Sequence, residues 1–121
     1  MAAPVLLITA DLACVSAVTG AASRAGAELR TALGTSAIEE RLEGEAPALV
    51  IIDLSTPGLK IGELMPELRS RLPQAKVIAF GPHVHTGLLA AARQAGCDLV
   101  VSRGELHARI DRLLNEFGTD T

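Results

Sequence analysis

The sequence predicts an α/β domain: a parallel sheet wound with helices on both faces. Three observations carry that prediction. Five short runs rich in Val, Ile and Leu are spread along a chain of 121 residues. Between and after them lie segments whose apolar residues recur at three- and four-residue steps, the spacing of one helix face. The two kinds alternate strictly, which implies parallel strands joined by right-handed crossovers.

The elements follow in order. Val5-Leu6-Leu7-Ile8 is the first strand, and Asp11 is placed to cap the helix after it. That helix covers 12–25, with Leu12, Val15, Val18, Ala22 and Ala25 inward, and Gly26 closes it. Residues 27–32 form a weaker strand whose Glu28 and Arg30 suit a sheet edge. Thr35 or Ser36 opens a short helix ending near Gly44, with Glu39 placed for a capping box with Ser36. Leu49-Val50-Ile51-Ile52-Asp53 is the central strand: four apolar residues, one carboxylate, then a turn through Pro57-Gly58. An unpaired buried carboxylate is costly, so Asp53 belongs where the strand meets water.

A helix over 61–72 follows, with Leu64, Met65, Leu68 and Leu72 inward, Pro66 near its first turns and Pro73 stopping it. Residues 76–80 form the fourth strand, broken by Gly81-Pro82. Residues 85–95 form an Ala-rich helix closed by Gly96, and 99–101 the fifth strand. The last helix covers 105–117, with Leu106, Ile110, Leu113, Leu114 and Phe117 on one side, and 115–121 read as a polar, fraying tail. Five such units in one domain spanning 1–121 give a flavodoxin-like, doubly wound (βα)5 three-layer sandwich with strand order 2-1-3-4-5. The switch point lies between the first and third strands, which sends Asp11 and Asp53 to its carboxyl edge, where ligands gather in such sheets.

Composition narrows the function. Hydrophobic residues are 49% of the chain, enough for a core of its own, yet there are two Phe and no Trp or Tyr. That leaves no aromatic platform for stacking bases. The net charge is −3, with no basic run, so nucleic acid is not an expected partner. Cys14 and Cys97 have no metal-ligand spacing and suit structural thiols in a reducing cytoplasm. No apolar run reaches membrane-spanning length and the first residues lack a signal-peptide pattern, so a cytoplasmic protein without a membrane partner is expected.

With these elements placed, the chain resembles the receiver domain of bacterial response regulators over residues 4–117. The resemblance rests on the carboxylate and Pro-Gly turn from Asp53 to Gly58, and on Ala95-Gly96-Cys97-Asp98 ahead of the fifth strand. It implies a phosphoacceptor aspartate at Asp53, an acidic pair after the first strand holding Mg²⁺, a hydroxyl after the fourth strand, and a Lys followed by a cis-Pro after the fifth. The physics of that set is charge screening, because a carboxylate attacking an anionic phosphodonor needs a metal and a cation in place.

The positions that match the family's pattern mostly depart from it. Thr9 and Ala10 stand where the acidic pair belongs, and Asp11 comes one place late. Gly81 stands at the hydroxyl position, Arg103 at the lysine and Gly104 at the proline. Arg keeps the charge but is a planar fork, not a compact ammonium. Val100 matches the family's fifth-strand aromatic, and Ile61 the glycine after the phosphoacceptor, with Gly62 one late. This is the profile of an atypical receiver, or pseudo-receiver.

Each site residue has a sharper and a plainer reading. Asp53 is a phosphoacceptor, or a strand-end carboxylate bonding backbone N–H groups of the Ser55-Thr56-Pro57 turn. Asp11 is a remaining metal ligand, making with Asp53 a weak candidate Mg²⁺ site, or a helix cap. Arg103 is a counter-charge to Asp53 or a solvated loop cation. His83 and His85 could hold a transition metal but lack a third ligand, and with His107 they read as exposed. No glycine-rich phosphate loop follows the first strand, since Thr9-Ala10-Asp11-Leu12 stands there, and no Ser-His-Asp arrangement is supported.

Leu88, Leu89, Ala90, Ala91 and Ala92 in succession exceed one buried stripe and suggest an interaction patch or ordinary exposed alanines. In the family, the fourth helix, fifth strand and fifth helix form the docking and dimer surface. The expectation is therefore a non-enzymic signalling domain working through protein–protein interaction, with a histidine kinase, phosphotransfer or output protein as partner and a homodimer through that surface as one form. A working phosphoacceptor receiver in a two-component relay is the alternative. A small-molecule binder of flavodoxin-like shape is the third.

Overall fold

In the computed structural model, which describes residues 4–117, the elements alternate as the sequence predicts. They are β1 (Val5–Thr9), α1 (Leu12–Ala25), β2 (Leu29–Leu33), α2 (Ile38–Arg41) entered through a 3-10 turn at Thr35–Ala37, β3 (Leu49–Asp53), α3 (Ile61–Arg71), β4 (Lys76–Gly81), α4 (Thr86–Gln94), β5 (Leu99–Ser102) and α5 (Arg103–Phe117). The strands form one parallel sheet in the order β2-β1-β3-β4-β5. No described helix is long and apolar enough to cross a membrane.

The sheet's period of two divides the core into two layers. Leu6, Ile8, Val50, Ile52, Val77 and Ala79 face α3 and α4 residues such as Met65, Leu68 and Ala92. Val5, Leu7, Leu49, Ile51, Ile78 and Phe80 face Cys14, Val18, Ala21 and Ala22 of α1 and Leu106, Ile110, Leu113 and Leu114 of α5. Buried alanines on α1 and α4 let helix and sheet approach closely, which suits a core whose only fully buried aromatic among the described residues is Phe80.

Five expectations change. Leu12 is 69% exposed, and the buried stripe of α1 begins at Cys14. The Ser36–Glu39 capping box does not form: Gly34 precedes the 3-10 turn, no side chain caps either segment, and Glu39 pairs with Arg71 instead. The segment expected to reach Gly44 is helical only to Arg41. The last helix starts at Arg103, not Glu105, directly after β5. Residues 115–117 complete that helix, and residues 118–121 of the expected tail lie outside the described residues.

Candidate functional site

Parallel pairing of β1 with β3 brings Thr9 and Asp53 to one end of the sheet. Thr9 belongs to β1, one residue beyond the predicted strand, and is fully buried. Its hydroxyl donates to Asp53 Oδ2 at 2.7 Å and its oxygen accepts the Asp11 N–H at 3.1 Å. Asp53, 2% exposed, accepts the Ser55 N–H on Oδ1 at 2.9 Å, the turn contact of the plainer reading. The same turn closes through Asp53's carbonyl, which accepts the Thr56 hydroxyl at 2.7 Å and the Thr56 N–H at 3.1 Å.

Asp11 does two things at once. Its Oδ1 accepts the Ala13 N–H at 2.9 Å, the expected helix cap, while Oδ2 pairs with Arg103 Nη1 at 3.2 Å. Arg103 also sets Nη2 3.5 Å from Asp53 Oδ1. One guanidinium thus spans both carboxylates, and it lies over the Phe80 ring, 5.4 Å from the centroid, a cation–π distance. The counter-charge reading of Arg103 is the one observed.

Arg103 is held by the start of α5. Ser102 Oγ accepts the Glu105 N–H at 3.1 Å and Glu105 Oε1 accepts the Ser102 N–H at 2.9 Å, a reciprocal capping box. The Ser102 bonds hold the Glu105 carboxyl below its ordinary value. Ser-Arg-Gly-Glu carries the Ser-x-x-Glu signal in plain sight, while Ser36-Ala37-Ile38-Glu39 has the same spacing and no box. Beneath the site, burial, with Asp53's charge adding, pushes the Cys14 thiol up to about 11, so it is a neutral, unreactive group there.

The other predicted positions are at this edge or next to it. Ala10 is exposed beside Asp11. Gly81 ends β4, and a Cβ there would meet Leu54 at 3.6 Å and Leu89 at 3.8 Å, ordinary contact distances, so the backbone does not demand glycine. His83 and His85 are exposed, as is His107. On the fourth helix, Leu89 and Ala92 are buried, whereas Leu88 and Ala90 are exposed.

Both carboxylates that would hold Mg²⁺ are occupied by this chain's own donors. That ion takes near-octahedral oxygen ligands, with waters completing a set of one or two carboxylates. Here two carboxylates converge, Asp53 is engaged by Thr9, Ser55 and Arg103, and Asp11 by Ala13 and Arg103. No group of three or more His, Cys, Asp or Glu side chains among the described residues could hold a metal.

No family model matches the chain. A segment of 57 residues, 47% of the chain, is 40% identical to the transcriptional activator protein ExaE of Pseudomonas putida, and the match spans 27% of that protein's length. A CheY-like response regulator receiver domain from Methanospirillum hungatei superimposes with a TM-score of 0.77 at 19% identity, covering 96% of both chains. A response regulator from Burkholderia pseudomallei, solved with a phosphorylated aspartic acid, calcium ion and citrate, superimposes with a TM-score of 0.78 at 16% identity. It is matched over 98% of this chain and 67% of its own. Five parallel strands in the order 2-1-3-4-5, with an aspartate ending the third, give this chain the fold of the response-regulator receiver domain.

Proposed function

We propose that this chain is a receiver-like signalling domain that works by binding other proteins and is not an enzyme. The observation that carries the reading is how Asp53 is engaged. Both its oxygens are committed within the chain, to the Thr9 hydroxyl, the Ser55 N–H and the Arg103 guanidinium. Each contact ties down a lone pair that a nucleophile would aim at the phosphodonor, and charge screening by a metal is needed besides. Thr9 and Ala10 supply no metal ligand of carboxylate type, and Gly81 supplies no hydroxyl. A contact surface is available at the start of α4, where Val84 is 70% exposed and Leu88 37% exposed. Signalling partners of the kinase, phosphotransfer or output type, or a second copy through α4, β5 and α5, would meet the domain there, in the cytoplasm.

Incubation with Mg²⁺ and acetyl phosphate, read by intact mass, tests this. The expected result is no gain of a phosphoryl group. A gain in the parent protein that Asp53→Ala abolishes would overturn the reading. It would favour the second one, a phosphoacceptor receiver, which the placement of Asp53 at the end of β3 beside a cation supports.

A further inference from the structure

We infer that Arg103 is the site's built-in counter-cation: it takes the place a divalent metal would need between Asp11 and Asp53 and makes this edge of the domain indifferent to Mg²⁺. The inference rests on the receiver-like reading for its importance, but not for its geometry.

A carboxylate as buried as Asp53 requires a compensating charge. The guanidinium supplies it, with Nη2 3.5 Å from Asp53 and Nη1 3.2 Å from Asp11. Guanidinium remains charged throughout the usable pH range, so the compensation is permanent, whereas a bound metal can be lost. Three features hold Arg103 in that position. The Phe80 ring lies against the guanidinium at 5.4 Å. Arg103 is the first residue of α5, with no loop between it and β5. The Ser102–Glu105 box fixes that first turn.

Thr9 completes the arrangement. A third carboxylate in its place would raise the uncompensated negative charge from one to two. The hydroxyl instead donates 2.7 Å to Asp53 Oδ2 and adds none. Two carboxylates and one guanidinium leave one net negative charge, and the guanidinium occupies the space between the carboxylates that a divalent ion would need. To reach either carboxylate, the ion would have to displace the guanidinium and the hydrogen-bond donors already there.

The test is a Mg²⁺ titration of the parent protein, Arg103→Gln and Arg103→Gln/Asp53→Asn, into the millimolar range. It is read by the backbone amide signals of Asp11, Asp53 and Ser55 and by the thermal midpoint. The parent is expected not to respond. Arg103→Gln is expected to show saturable shifts at those amides and a midpoint that rises with Mg²⁺, and the double variant to lose both. A parent response equal to that of Arg103→Gln overturns the inference, as does a folded Arg103→Gln that ignores Mg²⁺. Should Arg103→Gln fail to fold, Arg103→Lys serves, because a single ammonium head cannot span both carboxylates. Mg²⁺ must then shift its Asp11 or Asp53 amide, and silence overturns the inference. A parent protein that gains a phosphoryl group while ignoring Mg²⁺ would sink the protein-contact reading and leave this one standing.

Discussion

Arginine meets aspartate at both ends of this sheet, and the two meetings differ in kind. At the amino edge, Asp98 Oδ2 accepts the Val77 N–H at 2.8 Å and Arg69 Nη2 at 3.0 Å. Arg69 also donates to the carbonyls of Ala75 and Gly96, each at 2.9 Å. That guanidinium joins the end of α3, the start of β4 and the turn before β5. At the carboxyl edge, both described polar contacts of Arg103 are to carboxylates, Asp11 and Asp53. The first arginine fastens backbone and the second balances charge. A residue pair is therefore read as structural or functional from what else the guanidinium holds.

The comparison breaks first at Asp98. Asp98→Ala removes the acceptor of both the Val77 N–H and Arg69, and hydrogen bonds to charged groups contribute roughly 1.5–3 kcal/mol. With Asp98 partly exposed, a loss of about 2 kcal/mol is expected in urea unfolding, or about 6–10 °C in midpoint for a domain of this size. A loss no larger than that of Arg103→Ala would erase the distinction. The pH dependence sharpens it. Burial alone would raise the Asp98 carboxyl, but the Val77 N–H and Arg69 outweigh it and hold the group below its ordinary value. A folded-state value below the unfolded one gives stability that is present above the unfolded value, near 3.9, and lost as pH falls through the folded value. Stability should therefore drop below about pH 4, and Asp98→Asn should flatten that drop.

The two arginines form the next test. Arg69→Ala strands two backbone carbonyls and Asp98 and should cost about 2 kcal/mol. Arg103→Ala, whose side chain is 31% exposed, should cost about 1 kcal/mol, between the values for surface and buried pairs. Moderate salt should shrink the Arg103 effect more than the Arg69 effect, because charge balance is screened and hydrogen bonds to fixed carbonyls much less so. Urea midpoints at two ionic strengths measure both.

Much of this was legible in the sequence where one residue's chemistry decides its place. Leu49–Asp53 is the strand that the apolar run and its carboxylate announced. Asp11 caps α1 and Gly26, at φ 69°, ends it, because both roles are local. Gly96, at φ 92°, and Asp98 sit in the segment that carried the resemblance, and their contacts explain why those residue types stand there. What was not legible depends on distance in the chain. The contact of Thr9 with Asp53 spans 44 positions and that of Arg103 with Asp11 spans 92, and no spacing rule reaches so far. Substituting Thr for an acid read as a loss, when its hydroxyl is the closest described partner of Asp53's side chain. The Ser102–Glu105 box has the same spacing as Ser36–Glu39, and only the second pair has a competing partner, Arg71 on Glu39.

That box offers a smaller test. Ser102→Ala removes the cap that fixes the first turn of α5, and losing such a cap costs about 1 kcal/mol. The larger consequence is expected at Arg103, whose position depends on that turn. The Asp53 and Asp11 amide signals should shift in Ser102→Ala, while those of Val77 and Gly96 stay in place. Shifts of equal size at both sheet edges would show that the turn serves general stability and not the placement of Arg103.

The smallest effect is expected at the residue the sequence singled out. Asp53→Asn keeps an acceptor oxygen for the Ser55 N–H, and its amide can donate to Thr9 Oγ once the hydroxyl turns away. Arg103 loses one partner and keeps Asp11. The charge repulsion between two carboxylates disappears at the same time, which offsets part of the lost attraction. A change within about 0.5 kcal/mol is expected, because the lost attraction to Arg103 and the relieved repulsion between the carboxylates nearly cancel. Asp98→Ala should exceed it severalfold under the same conditions. If Asp53→Asn instead destabilises as much as Asp98→Ala, then the carboxyl edge fastens the fold as firmly as the amino edge does. Asp53 would then be present for stability, with neither charge balance nor contact chemistry needed to explain it.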